Sequence, residues 1–494
     1  MARAVVLGID SGTQSVKVLA LDLEDGAVVG DGRAPHTGAD TQHPAEWWAA
    51  LVAATRAAVA PDMRVMGLAV AGQQHGCVTL DANGGVVRPA PLWNNVDAAP
   101  DAERLNDLAD FAAETGSRLV ASFTIAKLAH LARTAPADLA RTAAVCLPHD
   151  YLNYRLTGEL ATDRGDASGS GWWSPKDGTD RRDLLALAIG EVDAARLRLP
   201  TVRWPEDLAG MLSPEAAAEL GLPAGIPVGP GTGDNMAAAL GLGVAAGELA
   251  ISLGTSGTAF AVAERPTADP SGEVAGFADA TGRFLPLACM LNCTRVLDTI
   301  AALLGVERGA ALDRAGAIDP GAGGLLLVPY LAGERTPNLP HATGTLSGLT
   351  LATATPDALL RAALDGVAAG LAYCVDALAR LGVVAPAVTL TGGGATHPAW
   401  QQAIADATSL PVVVRAGGEH AARGAAKQAA AVVRRERVAE VVARWRPPTV
   451  AEVAPRAGAR AAFALERRRD LIAFANTAPG VAPDAVSPWL GADR

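Results

Sequence analysis

The chain has few lysines, few aromatic residues and little positive charge. Four of its 494 residues are lysines, and aromatic residues make up 4%. Half of the residues are hydrophobic, so Ala, Val and Leu must fill a large core. The net charge of −11 disfavours a surface for nucleic acid or anionic lipid. No apolar run approaches the roughly 18–20 residues that span a bilayer, and no signal peptide precedes the first strand. We therefore expect neither a nucleic-acid nor a membrane partner.

Cysteine is also scarce, with five residues that are scattered and odd in number. No Cys and His spacing matches a zinc site, so we interpret the cysteines as buried thiols. Unpaired thiols are typical of a reducing compartment, which favours a cytoplasmic location.

Two common nucleotide-binding motifs are missing. The chain has no Gly-x-x-x-x-Gly-Lys-Ser/Thr, which excludes a P-loop. No Gly-x-Gly-x-x-Gly follows the first strand, which disfavours a Rossmann dinucleotide site. Any phosphate must therefore be held in another way.

The strongest positive signal is a strand–turn–strand pattern that occurs twice. In residues 5–22, an apolar run ends at Asp10, a Gly/Ser/Thr turn follows, and a second strand-like run returns. Residues 250–262 repeat the pattern half a chain later, with Ser252 in the position of Asp10. Two such hairpins predict a duplicated domain with a phosphate held between the halves.

Strand and helix signals alternate along the whole chain, which predicts an α/β fold. A chain of this length exceeds one compact domain, and two domains of roughly 200–250 residues are expected. We place the N-terminal domain at 1–245 and the C-terminal domain at 246–476. A helix is expected near 461–474. Residues 477–494 are rich in Pro, Ala and Gly and are expected to form a loose tail.

The glycines of both hairpin turns, Gly12 and Gly254, let backbone N–H groups approach a phosphate without a side-chain clash. Thr13 and Thr255 add hydroxyl donors beside them. An acid such as Asp10 repels phosphate, so it fits only if Mg²⁺ lies between, held directly or through water. The alternative is that each segment is an ordinary hairpin turn.

A second motif is the glycine-rich loop 231–235, where a strand ends and Asp234 precedes a predicted helix over 236–242. One interpretation is a helix N-cap, which Asp often provides. The other is a general base at the carboxyl end of a strand, where α/β sites form. Both roles can coexist.

Polar side chains follow the buried strand predicted over 65–71. Gln74 and His75 lie between two glycines and are suited to bind sugar hydroxyls, although an ordinary polar turn is equally consistent. Trp93 and Asn94 could add an aromatic face and an amide, although a lone Trp is more often part of a core. Farther along, the glycine run 392–394 lets adenine or ribose lie against the backbone, or forms a flexible strand–helix turn.

Taken together and in this order, these motifs resemble the FGGY carbohydrate kinases over about residues 5–430. The matching runs are Gly8-Ile9-Asp10-Ser11-Gly12-Thr13, Gly72-Gln73-Gln74-His75-Gly76, Leu92-Trp93-Asn94, Pro148-His149-Asp150-Tyr151-Leu152, Leu156-Thr157-Gly158-Glu159, Gly233-Asp234-Asn235, Leu253-Gly254-Thr255-Ser256-Gly257, Gly333-Glu334-Arg335-Thr336-Pro337 and Gly392-Gly393-Gly394-Ala395.

The resemblance implies two actin-like, ribonuclease-H-like domains with mixed sheets around a central cleft. It implies ATP, Mg²⁺ and the phosphorylation of D-xylulose to D-xylulose 5-phosphate. Asp234 matches the catalytic base, and Asp10 and Asp234 match the metal-side acids. Such kinases are commonly homodimers. The remaining implied contacts divide into a sugar side and a nucleotide side: Gln74, His75, Trp93, Asn94, Asp234 and Asn235 for the sugar, and Ser11, Gly12, Thr13, Gly254, Thr255, Gly393 and Gly394 for ATP.

The chain departs from the family pattern in one sugar-side motif. The family usually has Trp-Asn-Asp-x-Arg, whereas this chain has Asn95 and Asp97 at the last two defined positions. Gln74 also stands where members that phosphorylate D-xylulose often have Met. A kinase for ribulose, a ketohexose or a polyol therefore remains an alternative. A non-catalytic actin-like protein that binds ATP or sugar is a further one.

Overall fold

The computed structural model describes residues 2–463, which pack into two compact units. The first unit comprises the described residues up to Ala246, together with Val262–Pro286 and Gly417–Pro447. The second comprises Gly247–Ala261, Leu287–Ala416 and the described residues from Pro448. Most of the helix expected near 461–474 and all of the expected tail at 477–494 lie outside the described residues. The domain limits 1–245 and 246–476 stay a prediction.

The strands up to residue 246 are β1 (Arg3–Ser11), β2 (Ser15–Asp22), β3 (Val28–Pro35), β4 (Thr41–Gln42), β5 (Met63–Gly72), β6 (Val78–Leu80), β7 (Ala90–Pro91), β8 (Ala144–Cys146), β9 (Ala161–Asp163), β10 (Trp173–Ser174), β11 (Thr179–Asp180), β12 (Thr201–Arg203), β13 (Gly210–Met211), β14 (Pro227–Val228) and β15 (Thr232–Gly233). The helices are α1 (Pro44–Ala58), α2 (Ala99–Leu108), α3 (Phe111–Thr115), α4 (Thr124–Thr134), α5 (Pro136–Arg141), α6 (Pro148–Thr157), α7 (Arg164–Ala167), α8 (Arg182–Ile189), α9 (Glu191–Arg196), α10 (Pro214–Leu220) and α11 (Asp234–Leu242).

From residue 247 the strands are β16 (Leu249–Leu253), β17 (Gly257–Ala261), β18 (Val274–Ala278), β19 (Phe284–Met290), β20 (Leu326–Val328), β21 (Thr345–Ser347), β22 (Val388–Thr391), β23 (Val412–Arg415) and β24 (Thr449–Val453). The helices are α12 (Thr294–Leu303), α13 (Arg308–Ala317), α14 (Pro356–Arg380), α15 (Pro398–Thr408), α16 (His420–Arg434) and α17 (Val438–Arg444).

The first unit is built on a mixed sheet with the strand order β13-β14-β5-β1-β2-β3, and β15 also pairs with β5. β1 and β2 form an antiparallel hairpin, here called the first hairpin, and β5 runs parallel to β1 on its other side. The strand–turn–strand pattern predicted over residues 5–22 is therefore confirmed.

Helices cover both faces of this sheet at very short range. A Cβ atom on Gly32 would lie 2.1 Å from Ala54 O of α1, and one on Gly8 would lie 1.9 Å from Ala422 O of α16. Only glycine permits such contacts between backbones. The apolar side chains of β1 and β2, with Trp47 and Leu51 of α1, form the buried core of this unit.

The second unit repeats the plan. Its sheet contains the strand order β19-β17-β16-β22-β23-β24, in which β16 and β17 form the second hairpin and β22 runs parallel to β16. The hairpin and parallel third strand of the first unit thus recur, which confirms the predicted duplication. The core helix α14 has a mean hydropathy of 1.5 over its most apolar 18 residues, 83% of which are buried in the protein.

One predicted helix is interrupted. The sequence of residues 181–198 predicts a helix, whereas the structure forms α8 and α9 with Gly190 between them. Gly190 has φ 85° and ψ 154°, a conformation outside the helical region that glycine adopts readily. This residue ends α8 and begins α9.

Candidate functional site

Three parallel strands of the first unit end at one edge of the sheet. In the register of the sheet, Asp10 of β1 pairs with Ala71 of β5, and Gly233 of β15 pairs with Gly72. Asp10 and Asp234 therefore leave the sheet at the same edge, with backbones about 10 Å apart because β5 separates them. Sites in α/β proteins form at such carboxyl ends.

Asp234 is the first residue of α11, so the helix begins two residues earlier than predicted. The N-cap is Gly233, with an extended backbone at φ −62° and ψ 153°, and the N-cap interpretation of Asp234 is therefore wrong. Asp234 Oδ1 accepts hydrogen bonds from the backbone N–H of Asn235 (2.8 Å) and from its side-chain Nδ2 (2.9 Å). This leaves Oδ2 without a hydrogen bond within the described residues.

The environment of Asp234 favours the protonated carboxyl. Burial, and then the negative charges of Asp10 and Asp166, raise the pKa of Asp234 to about 7. A carboxylate with a pKa near neutral can accept a proton from an alcohol as it reacts.

At the other end of α11, the buried Lys427 donates to Leu240 O (2.9 Å) and Gly241 O (3.0 Å), which fixes the helix.

Asp10 is also an acid in an unfavourable position. Burial raises its pKa to about 6, although the cation of Lys17 opposes this shift and Glu419 adds to it. Lys17 is the register partner of Asp10 across the first hairpin, and its Nζ lies 2.5 Å from Glu419 Oε2. Asp10 and Asp234 together form a region of negative charge that a cation would stabilise.

These two carboxylates fit the donor chemistry of Mg²⁺. The described residues contain no cluster of three or more His, Cys, Asp or Glu side chains that could hold a metal alone. Mg²⁺ in phosphoryl-transfer sites is commonly bound by one or two carboxylates, with water and substrate phosphates completing the shell. A pair of acids beside the glycine turn of the first hairpin therefore suits this ion.

The structure joins three of the predicted sugar-side residues into one chain of hydrogen bonds. Asn235 Nδ2 donates to Gln74 Oε1 (2.9 Å) as well as to Asp234. Gln74 Nε2 is buried and has no hydrogen-bond partner within the described residues. A buried donor of this kind favours a ligand with acceptor oxygens, such as a sugar.

His75, next to Gln74 in the sequence, is held in a fixed orientation. Its φ of 64° is unusual for a residue with a side chain, and strained backbone of this kind clusters at functional sites. The ring Nδ1 lies 3.0 Å from Gly169 O, so Nδ1 carries the proton. The ring stacks on Phe123 and contacts Phe277, with ring centroids 5.0 and 5.4 Å away.

The buried Lys127, which no sequence motif singled out, fixes the turn that carries His75. Its Nζ donates to His75 O (2.7 Å) and also bonds Ser122 O. A single lysine in the apolar helix α4 was a signal, because lysine is rarely buried without a specific partner. Nothing in the sequence marked Phe123 and Phe277 as contacts of His75.

Trp93 connects the predicted sugar-side motif to the first hairpin. Its indole Nε1 donates to Thr13 Oγ1 (3.0 Å), which leaves the Thr13 hydroxyl able to donate its own proton. Asn94 is exposed and makes no hydrogen bond within the described residues. Asn95, where the family pattern has an acid, donates to Asp40 (3.2 Å) and Asp97 (3.1 Å). The two departures at 95 and 97 thus pair with each other.

The turn of the first hairpin offers fewer amides than expected. The N–H of Gly12 donates to Ser15 O (3.1 Å), whereas the amides of Thr13 and Gln14 make no hydrogen bond within the described residues. Ser11 is fully buried, and its Oγ has no partner there either. The groups of this turn suited to an anion are therefore the Thr13 and Gln14 amides and the Thr13 hydroxyl.

The predicted nucleotide-side residues of the second unit lie around the second hairpin. The N–H of Gly254 donates to Ser256 O (3.0 Å), and its carbonyl accepts from Thr294 N (3.1 Å) at the start of α12. Gly392, at φ 89°, allows the chain to pass Leu253 O, which a Cβ atom would meet at 2.5 Å. The next residue, Gly393, is exposed with nothing within 4 Å of such an atom, and Gly394 packs against Leu253. Thr255 lies exposed at the tip of the hairpin.

Known proteins are similar to this chain in both sequence and fold. Residues 5–241 match the N-terminal domain of the FGGY family of carbohydrate kinases, and residues 249–433 match its C-terminal domain. The xylulose kinase of Streptomyces rubiginosus is 47% identical over 450 residues, which cover 89% of this chain and 90% of that protein. The xylulose kinase of Escherichia coli K12 is 36% identical over 84% of this chain and 87% of its own length.

Solved structures agree with these matches. The crystal structure of xylulose kinase from Bifidobacterium adolescentis has a TM-score of 0.85 and 38% identity, and covers 94% of this chain and 100% of its own. A gluconate kinase from Lactobacillus acidophilus, 20% identical with a TM-score of 0.88, covers 96% of this chain and 99% of its own and shares the fold. The predicted fold class, an α/β protein of two actin-like domains with mixed sheets, is confirmed.

Proposed function

We infer the function from one premise: the chain belongs to the FGGY family of carbohydrate kinases. We propose that it transfers the γ-phosphate of ATP to the terminal hydroxyl of D-xylulose, which gives D-xylulose 5-phosphate and ADP. The observation that carries the proposal is the hydrogen-bonded set of Gln74, Asn235 and Asp234 beside Asp10. Relatives at 47% and 36% identity named xylulose kinases support the choice of sugar.

In the proposed mechanism Asp234 is the general base. Its Oδ2 accepts the proton of the sugar hydroxyl as that oxygen attacks the γ-phosphorus, and the bond to the β-phosphate oxygen breaks as ADP leaves. Asn235 binds Oδ1 through two N–H groups and so orients the carboxylate with Oδ2 toward the substrate. Because its pKa is about 7, Asp234 is ionised in a substantial fraction of molecules at neutral pH.

Other side chains would orient the two substrates. Gln74 and His75 are proposed to bind sugar hydroxyls, with Trp93 as a flat wall. The Thr13 and Gln14 amides and the Thr13 hydroxyl of the first hairpin turn are proposed to bind phosphate, with Ser11 and Gly12 forming the backbone beside it. In the second unit, Gly254 and Thr255 are proposed to bind phosphate, and Gly393 and Gly394 to lie against the nucleoside. Such positioning supplies much of the rate in phosphoryl transfer.

Mg²⁺ would be held by Asp10, directly or through water, and by the carboxylate of Asp234. When bound, the ion offsets the negative charge of the β- and γ-phosphates. We also propose a cytoplasmic homodimer, as is common in such kinases.

The test is a coupled assay of ADP release with D-xylulose, D-ribulose, ketohexoses and polyols as acceptors. D-xylulose should give the highest kcat/KM, and Asp234→Ala should lower kcat at least about 100-fold, the usual scale for loss of a general base. Asp107→Ala, which removes an exposed acid from α2, should leave kcat unchanged. Higher kcat/KM with another acceptor would replace the sugar, and normal turnover by a folded Asp234→Ala variant would remove Asp234 from this role.

A further inference from the structure

A fully buried charged cluster lies behind the base in the first unit. The Nδ1 of His149, on α6, donates to Asp166 Oδ2 (2.6 Å), while its Nε2 lies 3.3 Å from Asp150 Oδ1 and 3.8 Å from Asp163 Oδ1. All four side chains are almost fully buried. His149 belongs to a motif that the proposed mechanism does not use.

This cluster is charged as well as hydrogen-bonded. Burial disfavours the imidazolium of His149, but Asp150 and Asp166 outweigh that effect and raise its pKa to about 9. One buried cation therefore compensates carboxylates that would otherwise repel one another. Each buried charge of this cluster is stable only while its partners stay close to it. The cluster therefore resists movement of any one of its side chains.

Asp163 connects the cluster to the loop that carries Asp234. Its Oδ2 accepts from Thr232 Oγ1 (2.7 Å) and from Gly165 N (2.8 Å), and its Oδ1 accepts from Asp166 N (2.9 Å). Thr232 is buried in β15, two residues before the base. The carboxylate of Asp163 thus holds β15, the short strand directly before Asp234, by a charge-assisted hydrogen bond.

The preceding residues of the loop are held equally tightly. Pro230 O accepts from the buried Asn153 Nδ2 (2.7 Å), and Gly231 exchanges two hydrogen bonds with Gln428 (2.9 and 3.2 Å). A Cβ atom on Gly231 would lie 3.0 Å from His149 Cδ2 and 2.2 Å from Val70 O. Residues 230, 231 and 232 therefore each have a buried hydrogen-bond partner, which restricts the position of the loop just before Asp234.

We propose that Asp163, held in place by His149 and Asp166, is a positioning residue that fixes the general base through the hydroxyl of Thr232. This inference rests on the proposed function, since it assigns a role relative to Asp234. Loss of the Thr232 hydroxyl leaves one oxygen of a buried carboxylate short of a donor and frees β15 to shift. A base misplaced by even 1 Å can cost about 100-fold in rate.

The test compares Thr232→Val, which keeps the side-chain shape, with Thr232→Ser, which keeps the hydroxyl. Thr232→Val should lower kcat at least about 10-fold while the KM for ATP changes less than about 2-fold, because the base moves and the nucleotide side does not. Thr232→Ser should restore kcat to within about 3-fold of wild type. As control, Thr134→Val removes a hydroxyl bonded to His130 O on the exposed end of α4 and should change neither constant.

Amide hydrogen exchange measures the same network without any substrate. Exchange at Asp234 and Asn235 should be at least about 10-fold faster in Thr232→Val than in wild type, and unchanged in Thr134→Val. Normal kcat and normal exchange in Thr232→Val, or equal impairment in the Val and Ser variants, would overturn the inference. Wild type that is inactive on D-xylulose would instead overturn the proposed function, and the exchange experiment would still decide the role of Asp163.

Discussion

The two hairpins share a backbone plan and differ in charge. In each, the first strand pairs antiparallel with the second and parallel with a strand that ends beside a glycine, β5 at Gly72 or β22 before Gly392. At equivalent register positions, however, Asp10 pairs with Lys17 whereas Ser252 pairs with Thr258. The duplication kept the antiparallel hairpin and its parallel neighbour, and changed the residue that determines the local charge. Metal chemistry is therefore expected only at the first hairpin.

The largest contrast between the hairpins is expected from Asp10→Asn and Ser252→Ala. We expect Asp10→Asn to lower kcat by at least about 10-fold and to raise the Mg²⁺ concentration that gives half-maximal rate, because the metal loses an anionic partner. Ser252→Ala removes no charge and should change both values by less than about 3-fold. Mg²⁺ titrations at saturating ATP and sugar measure this difference. Identical titrations of wild type and Asp10→Asn would contradict a metal-side role for the first hairpin.

A smaller contrast is expected in the pH profile. As the pH rises through about 7, Asp234 loses its proton and becomes able to act as a base, so kcat should rise there. The negative charge of Asp10 contributes to the raised pKa of Asp234, so Asp10→Asn should move this limb to lower pH. Ser252→Ala should leave it in place. The measurement is kcat across the pH range with saturating substrates, and a limb that moves to higher pH in Asp10→Asn would contradict the electrostatic coupling.

Local sequence patterns predicted the hairpins well because their causes are local. Alternating apolar residues around a short glycine turn specify two antiparallel strands without reference to the rest of the chain. The start of α11 was predicted two residues late, since its N-cap Gly233 has no side chain to signal a cap. The break at Gly190 was missed because one glycine inside a helical pattern is often tolerated.

The site was predicted as a set of motifs, but not as a set of contacts. Gln74 and Asn235 were both expected on the sugar side, yet their hydrogen bond joins residues 161 positions apart. Thr232 was passed over because its partner Asp163 lies 69 positions away. Such pairings depend on how α6, β9 and β15 pack, and no local spacing encodes that packing.

The smallest contrast concerns the glycines of the two turns. A Cβ atom on Gly12 would meet only Ser15 O at 3.7 Å, whereas one on Gly254 would meet Ser256 O at 3.2 Å. Neither residue has a positive φ, so alanine is compatible with both backbones. Gly12→Ala should therefore leave the free energy of unfolding unchanged or raise it by up to about 1 kcal/mol. Because its Cβ atom has less space, Gly254→Ala should have a slightly lower free energy of unfolding than Gly12→Ala. If phosphate approaches these backbones closely, both variants will still raise the KM for ATP, because a methyl group occupies that space. Denaturant unfolding and initial-rate kinetics separate the two effects. An unchanged KM for ATP in Gly12→Ala but not in Gly254→Ala would leave the second hairpin as the main phosphate-binding turn and the first as the metal side alone.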